Sequence, residues 1–167
     1  MSRTALLEEL ESLKFPLAHS RHNVKRGGKS TMGFVLGKVR NRGHGLRYDK
    51  RIIRDSRRTN EEKYKKVYEL AKALIKKEKP NFKYNSIQFN KNARTARHID
   101  GYNVGVSSMI TLGDYTGGDL IIFDENEKNP KAHATKNRWL TFNGSKYPHE
   151  TAPFKGNRYS MVFYNTA

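Results

Sequence analysis

Residues 106–125, VSSMITLGDYTGGDLIIFDE, decide the fold class. They contain two runs of β-branched and apolar residues, and Gly117 with Gly118 between the runs predicts a hairpin turn. Residues 143–145 (NGS) predict a second one. Three more runs have the same texture: SIQFNKN (86–92), RWLTFNG (138–144) and RYSMVFYNT (158–166). Several short strands at regular spacing favour a sandwich or barrel, and a jelly roll is one such form.

Two amphipathic helices are predicted ahead of these strands. Leucines at helical spacing place the first helix over residues 4–13. Thr59 and Glu62 predict a capping box at the start of the second helix, and Pro80 follows its end. The second helix carries the apolar stripe Tyr64, Val67, Leu70, Ala71, Leu74 and Ile75.

These elements together predict a single α+β domain over residues 1–167. Its jelly-roll core is residues 81–167, and the basic N-terminal part, residues 1–80, supplies the supporting helices. Residues 33–40 and 46–53 read as further short strands. Some minor strands must come from this N-terminal part, because residues 81–167 alone are short for eight strands.

The amino-acid composition limits which metal ligands and catalytic groups the chain can offer. The chain has no cysteine, so disulfides, thiolate metal sites and a cysteine nucleophile are excluded, and any metal must be held by imidazole and carboxylate groups. No run approaches the roughly 18 consecutive apolar residues of a membrane span, and the first residues carry acids where a signal peptide is apolar. We therefore expect a folded, intracellular protein of the cytoplasm or nucleus, monomeric and without a membrane partner.

The positive charge is concentrated in the N-terminal part. Residues 1–92 hold 24 Lys and Arg against 9 acids, whereas residues 93–167 hold 9 against 7. The densest stretch, residues 21–58, has 13 basic residues and two acids, among them Lys25, Arg26, Arg40 and Arg42. Such a stretch is typical of a nucleic-acid-binding surface, although a merely solubilising face has the same composition.

The chemistry-bearing motif is Arg97-His98-Ile99-Asp100. Alternation along an extended strand would put His98 and Asp100 on the same face, where both can reach one metal ion. His149, which lies 49 residues after Asp100 and just ahead of the final predicted strand, completes two imidazoles and one carboxylate. That ligand set is the facial triad of non-haem iron(II) oxygenases, which leaves three coordination positions open.

Arg158 and Ser160 extend the motif, because they share one face of the last predicted strand. A planar guanidinium can hold a carboxylate of 2-oxoglutarate bidentately, and a serine hydroxyl can add a hydrogen bond. Gln88 and Asn90 share a face of an earlier strand and are weaker candidates for the same ligand. Trp139, Phe142 and Phe163 are predicted core residues.

The order H-x-D, distal histidine and R-x-S resembles the iron(II)- and 2-oxoglutarate-dependent oxygenases, whose core is a double-stranded β-helix. The resemblance covers residues 86–164 and implies iron(II), 2-oxoglutarate and dioxygen as cofactor and cosubstrates. Within that superfamily, His98-Ile99-Asp100-Gly101-Tyr102-Asn103 is similar to the H-x-D-x-x-N motif of the TET/JBP group, which oxidises the methyl group of pyrimidine bases. The segments 112–118 (LGDYTGG) and 137–144 (NRWLTFNG) are also similar to those of small TET/JBP-like proteins.

The resemblance implies that Asn103 contacts the substrate base. Tyr102 beside it can stack on a flipped base or serve packing alone. Three functions stay open at this stage. They are an oxygenase of nucleic-acid bases, a protein hydroxylase with the same iron chemistry, and a non-catalytic nucleic-acid-binding protein, against which the intact ligand set argues.

Overall fold

The computed structural model describes residues 2–18, 31–40 and 52–166. This part of the chain contains helices α1 (Ser2–Ser12) and α2 (Glu62–Glu78), a 3-10 helix at Arg57–Asn60, and twelve strands. The strands are β1 (Leu17–Ala18), β2 (Thr31–Arg40), β3 (Ile53–Asp55), β4 (Ser86–Lys91), β5 (Ser107–Leu112), β6 (Tyr115–Gly117), β7 (Leu120–Ile122), β8 (Lys131–His133), β9 (Leu140–Phe142), β10 (His149–Thr151), β11 (Phe154–Gly156) and β12 (Tyr159–Tyr164). Neither α1 nor α2 is long and apolar enough to cross a membrane.

The strands form three antiparallel sheets. The large sheet has seven strands in the order β1-β2-β4-β12-β5-β9, with β3 paired to β2. A small sheet has the order β10-β7-β8, and β11 pairs with β6. An antiparallel, jelly-roll-like arrangement with two helices agrees with the predicted α+β class.

The main core lies between the two helices and one face of the large sheet. Alternation along the strands decides which residues enter it: in β4, Ile87 and Phe89 point towards the helices, and in β12, Met161 and Phe163 do the same. Leu6, Leu10, Val67, Ala71, Leu74 and Ile75 meet them from α1 and α2. Fully burying each large apolar side chain contributes about 1.5–3 kcal/mol, so this face accounts for much of the stability.

Helix α2 has the predicted apolar stripe but not the predicted start. Tyr64, Val67, Ala71, Leu74 and Ile75 are buried and Leu70 is half-buried. The capping box is wrong, because Thr59 lies inside the 3-10 helix and α2 begins at Glu62. The Thr59 hydroxyl instead accepts a hydrogen bond from the Gly37 N–H at 2.9 Å, which ties the 3-10 helix to β2.

Both predicted hairpins are wrong, although both turns exist. Gly117 and Gly118 have positive φ angles of 78° and 74°, but β6 pairs with β11 and β7 pairs with β10, so the chain changes sheets there. Residues 143–145 likewise lead from β9 in the large sheet to β10 in the small one. The strand predicted over 33–40 is confirmed as part of β2. Of the strand predicted over 46–53, residues 46–51 lie outside the described residues.

The second face of the large sheet borders a cavity of about 1120 Å³. Gln88, Asn90 and Ser160 line it from the large sheet, and Leu120, His149 and Thr151 line it from the small sheet. A small apolar cluster of Met109, Leu120 and Phe142 joins the two sheets and lines part of the cavity. The candidate site is built on this second face.

Candidate metal centre

A two-way backbone contact joins the two predicted histidine ligands. The His98 N–H donates to the His149 carbonyl at 3.1 Å, and the His149 N–H donates to the His98 carbonyl at 3.0 Å. His98 makes only this isolated bridge and does not lie in an extended strand, so the predicted strand geometry of the H-x-D motif is wrong. His149 opens β10, and β11 separates that strand from the final one.

The three predicted ligands meet at one point. His98 Nε2 lies 3.4 Å from Asp100 Oδ1, and His149 Nε2 lies 3.2 Å from Asp100 Oδ2. One ligand atom from each residue lies within 4.8 Å of the others, a spacing that can hold a metal ion. No other group of three or more His, Asp or Glu side chains in the described ranges has this spacing.

The second nitrogen of each ring fixes its tautomer. His98 Nδ1 donates to the Ala96 carbonyl at 2.6 Å, and His149 Nδ1 donates to the Tyr147 carbonyl at 2.9 Å. Because a carbonyl oxygen only accepts, Nδ1 carries the proton in both rings and the Nε2 lone pairs face Asp100. Two lone pairs and a carboxylate around one point require a cation among them, either protons on Nε2 or a metal ion.

The electrostatics of the triad agree with this requirement. Burial raises the pKa of Asp100, but hydrogen bonds from His149 and His98 outweigh it and hold that pKa well below its usual range. Burial lowers the pKa of His149, and the Asp100 carboxylate raises it by more, so the net shift is upward. The site therefore stabilises a carboxylate that faces positive charge.

Gly144 lies against the triad. The sequence predicted this glycine only as a turn residue. Its carbonyl accepts a hydrogen bond from the Asp100 N–H at 2.8 Å. A Cβ on Gly144 would lie 2.9 Å from Asp100 Oδ2 and 3.1 Å from His149 Cε1. A side chain at this position would therefore crowd both Asp100 and His149.

Arg158 is buried in the wall of the same cavity, with 2% of its surface exposed. Its Nη2 donates to the Gly118 carbonyl at 3.1 Å, whereas its buried Nε has no hydrogen-bond partner among the described residues. Burial lowers the pKa of Arg158, and Tyr115 partly offsets the shift. A buried guanidinium with an unused donor costs free energy until an acceptor reaches it, so this pocket fits an anion.

Ser160 lies one strand position beyond Tyr159 and lines the cavity with Arg158. Asn90 Nδ2 donates to Ser160 Oγ at 3.2 Å, and Gln88 Nε2 donates to Asn90 Oδ1 at 3.1 Å. The structure thus brings Arg158, Ser160 and the two weaker candidates, Gln88 and Asn90, into one polar wall.

Tyr102 and Asn103 also line the cavity, on the loop that follows Asp100. Tyr102 is 57% exposed, and the Arg40 guanidinium lies 4.6 Å from the centre of its ring. The Asn103 N–H donates to the Asp100 carbonyl at 3.0 Å, and its backbone bridges Thr166. Of the predicted core aromatics, Phe163 and Trp139 belong to the main core, while Phe142 packs edge-on against His149 at 5.1 Å.

Four arginines of the basic N-terminal part line the same cavity: Arg40, Arg54, Arg57 and Arg58. Among the described residues of the predicted basic stretch 21–58, these four are the basic side chains that line the cavity. Lys25, Arg26 and Arg42 of that stretch lie outside the described residues.

Comparison with known proteins yields solved structures only. No protein-family model and no curated protein matches the chain. A 2OG-Fe(II) oxygenase family oxidoreductase from Burkholderia pseudomallei is similar to it at 13% identity and a TM-score of 0.60, covering 96% of this chain and 76% of that one. NgTET1 in complex with 5mC DNA is similar at 16% identity and a TM-score of 0.53, covering 95% of this chain and 65% of that one.

A third neighbour is a prolyl hydroxylase from Trichoplax adhaerens in complex with a hypoxia-inducible-factor peptide fragment. Its identity is 17%, its TM-score is 0.55, and the match covers 98% of this chain and 77% of that one. At these identities the comparisons show a shared fold, that of 2OG-Fe(II) oxygenases. The DNA-bound and peptide-bound neighbours have the same fold, so the fold does not decide the substrate.

Proposed function

We propose that this chain is an iron(II)- and 2-oxoglutarate-dependent dioxygenase with a double-stranded β-helix core. The observation that carries the proposal is that one cavity contains both a cation site and an anion site. His98, Asp100 and His149 present two Nε2 lone pairs and a carboxylate to one point, and Arg158 presents an unused buried donor. A metal ion would supply the cation that the triad lacks, and an oxo-acid would supply the acceptor that Arg158 lacks.

The donor set fits iron(II). Imidazole and carboxylate suit first-row metals such as iron, and two histidines with one carboxylate leave positions for a bidentate ligand and dioxygen. The carbonyls of Ala96 and Tyr147 hold both rings in the tautomer that a metal needs, as supporting partners of metal-bound histidines do. Bound iron supplies the activation of dioxygen, coupled to oxidative decarboxylation of 2-oxoglutarate to succinate and carbon dioxide.

The protein's own residues would bind and orient 2-oxoglutarate. Arg158 would receive the distal carboxylate of 2-oxoglutarate through charge-assisted hydrogen bonds that use Nε, and Ser160 would add a hydroxyl. Phe142 packs against His149 and clusters with Met109 and Leu120, so these apolar side chains would shield one side of the reacting centre from water. These roles require no proton transfer by a side chain.

The substrate that we propose is the methyl group of a pyrimidine base in nucleic acid. The support is the H-x-D-x-x-N pattern with Asn103 and Tyr102 in the cavity wall, and the basic character of residues 21–58. A base inside a duplex cannot reach a buried metal, so the base must be flipped out or single-stranded. Asn103 would contact that base.

The test is direct. Protein loaded with iron(II) without oxygen is mixed with 2-oxoglutarate, air and oligonucleotides that contain thymine or 5-methylcytosine, and the nucleosides are analysed by mass spectrometry. We expect oxidised methyl groups and succinate in matched amounts. Arg158→Gln should raise the 2-oxoglutarate concentration required far more than it weakens metal binding, and an unchanged requirement would contradict the role of Arg158.

A protein hydroxylase is the second candidate, since the prolyl hydroxylase neighbour is in complex with a peptide. Proline-containing peptides in the same assay separate the two. Hydroxylated peptide with unmodified nucleosides would replace the nucleic-acid proposal while leaving the iron chemistry in place.

A further inference from the structure

One wall of the cavity is built by β2, β3 and the 3-10 helix, and it carries the four arginines. In the β2–β3 ladder, Val39 pairs with Arg54 and Arg40 pairs with Ile53, so the side chains of Arg40 and Arg54 project to opposite faces of the ladder. Both nevertheless line the cavity. Arg57 and Arg58 follow two and three residues after β3, in the 3-10 helix. The Thr59 hydrogen bond to Gly37 holds that helix against β2.

Among the described residues of this wall, all four charged side chains that line the cavity are positive. Asp100 is the only acid among the described residues that line the cavity, and it belongs to the triad. The acid of β3, Asp55, pairs with Lys38 at 2.7 Å, and neither residue lines the cavity. The side chains of Arg57 and Arg58 make no hydrogen bond or ion pair to another described residue.

The arginine wall also differs from the Arg158 pocket in exposure. Arg158 is buried, whereas Arg54 and Arg57 are exposed and Arg40 and Arg58 are half-buried. An exposed arginine such as Arg57 costs little when no ligand is bound, so it suits a ligand that binds reversibly. A small oxo-acid held at Arg158 would leave Arg57 and Arg58 available.

Next to the wall stands an aromatic surface. The Arg40 guanidinium covers one face of the Tyr102 ring at 4.6 Å, and the ring remains 57% exposed. Base stacking on an aromatic side chain contributes about 1–3 kcal/mol per base. Arginines and an exposed aromatic ring beside one another fit a nucleotide, which carries a phosphate and a base within one unit.

We infer that Arg40, Arg54, Arg57 and Arg58 form a phosphodiester-binding site that holds the nucleic-acid backbone next to the reacting base. The inference rests on the proposed function and names the residues that hold its substrate. It makes Arg57 and Arg58 the main phosphate contacts, because they have no other described partner. Tyr102, held by Arg40, then offers its exposed face to a base.

The test measures binding of a single-stranded oligonucleotide to the full-length protein by fluorescence anisotropy, at several salt concentrations. The variant is R57Q/R58Q, and the matched control is K76Q/K77Q, which removes two exposed charges from the last turn of α2, outside the cavity. A second probe has the same sequence with neutral methylphosphonate linkages on both sides of the target base. This probe tests the wild-type protein without any mutation.

R57Q/R58Q should reduce the slope of log affinity against log salt by about 1.4, because each single-strand phosphate contact contributes about 0.7. The neutral probe should bind wild type more weakly than the charged probe, and this difference should shrink in R57Q/R58Q but not in K76Q/K77Q. Equal losses on both probes, or equal slopes in the two variants, would overturn the phosphate site. If only this inference fails, the oligonucleotide is still oxidised. Phosphate-dependent binding without oxidised product would instead overturn the proposed function.

Discussion

The two faces of the large sheet come from the same strands and have opposite properties. In β12, Met161 and Phe163 are fully buried against the helices, while Ser160 and Val162 border the cavity. In β4, Ile87 and Gln88 divide in the same way. Apolar side chains fill the helix face, whereas the cavity face combines polar groups, a few apolar side chains such as Val162, and open space. Stability and chemistry are therefore separable, and single substitutions can test the division.

The largest effect is expected at the proposed metal ligands. Asp100→Asn removes the carboxylate that faces both Nε2 atoms, so affinity for Mn²⁺, used as an iron substitute, should fall by more than about 100-fold, the upper range for a merely supporting group. Isothermal titration calorimetry measures this affinity. Asp114→Asn, an exposed carboxylate outside the cavity, is the control and should bind Mn²⁺ like wild type. Full Mn²⁺ binding by Asp100→Asn would remove the triad from the metal site.

Substitutions on the helix face should lower the free energy of unfolding. Phe163→Ala empties a fully buried position and should lower the free energy of unfolding by about 3–5 kcal/mol. Val162→Ala, one residue away on the cavity face, should lower it by only about 1 kcal/mol because that side chain is half-buried. Urea unfolding followed by circular dichroism compares the two. Similar losses would contradict the division between the faces.

Gly144 tests whether the cavity face depends on open space. Gly144→Ala adds a Cβ within 3.1 Å of both Asp100 and His149 and should reduce Mn²⁺ affinity about 10–100-fold. Gly101→Ala is the matched control, since a Cβ there meets nothing within 4 Å. Equal Mn²⁺ affinities in the two variants would show that the ligands move aside at no cost.

The smallest effect concerns a polar group at the edge of the helix face. Glu78 accepts hydrogen bonds from Arg3 at 2.8 Å and from Trp139 at 2.8 Å. The Arg3 hydrogen bond holds the pKa of Glu78 below its usual value of 4.5, with burial opposing it and Trp139 adding to it. This contribution, about 1 kcal/mol, is therefore present above that value and is lost as pH falls through the folded-state pKa.

Glu78→Gln should accordingly reduce stability at pH 7, and its difference from wild type should shrink below about pH 4.5. Thermal unfolding at a series of pH values measures this. A difference that stays constant down to pH 3 would contradict the role of the carboxylate.

The periodic elements were predictable from the sequence, and the pairing of short strands was not. The stripe of α2 and the runs of β4 and β12 are long enough to show their period, so their positions are confirmed. Strands β6, β8, β10 and β11 have three residues each, too few to show alternation. Gly117 and Gly118 predict a turn correctly, but the sheets that the turn connects depend on tertiary contacts.

The residues of the site also divide into those that the sequence predicted and those that it did not. Residue type and order were enough to predict that His98, Asp100, His149 and Arg158 belong to one cavity. Gly144 leaves space beside two of the proposed ligands because it has no side chain, and no motif encodes this role. The arginine wall follows from the pairing of β3 with β2, so the charge of residues 21–58 predicted a binding surface without indicating which arginines reach the cavity.

The reciprocal hydrogen bonds between His98 and His149 have a dynamic consequence. Their amide protons are shielded by the same bridge, so both should exchange with solvent in a single opening event. That event would separate the two imidazoles at once. We therefore expect the loop and β10 to open as one cooperative unit, and the ion that we propose to slow amide exchange at both positions by the same factor.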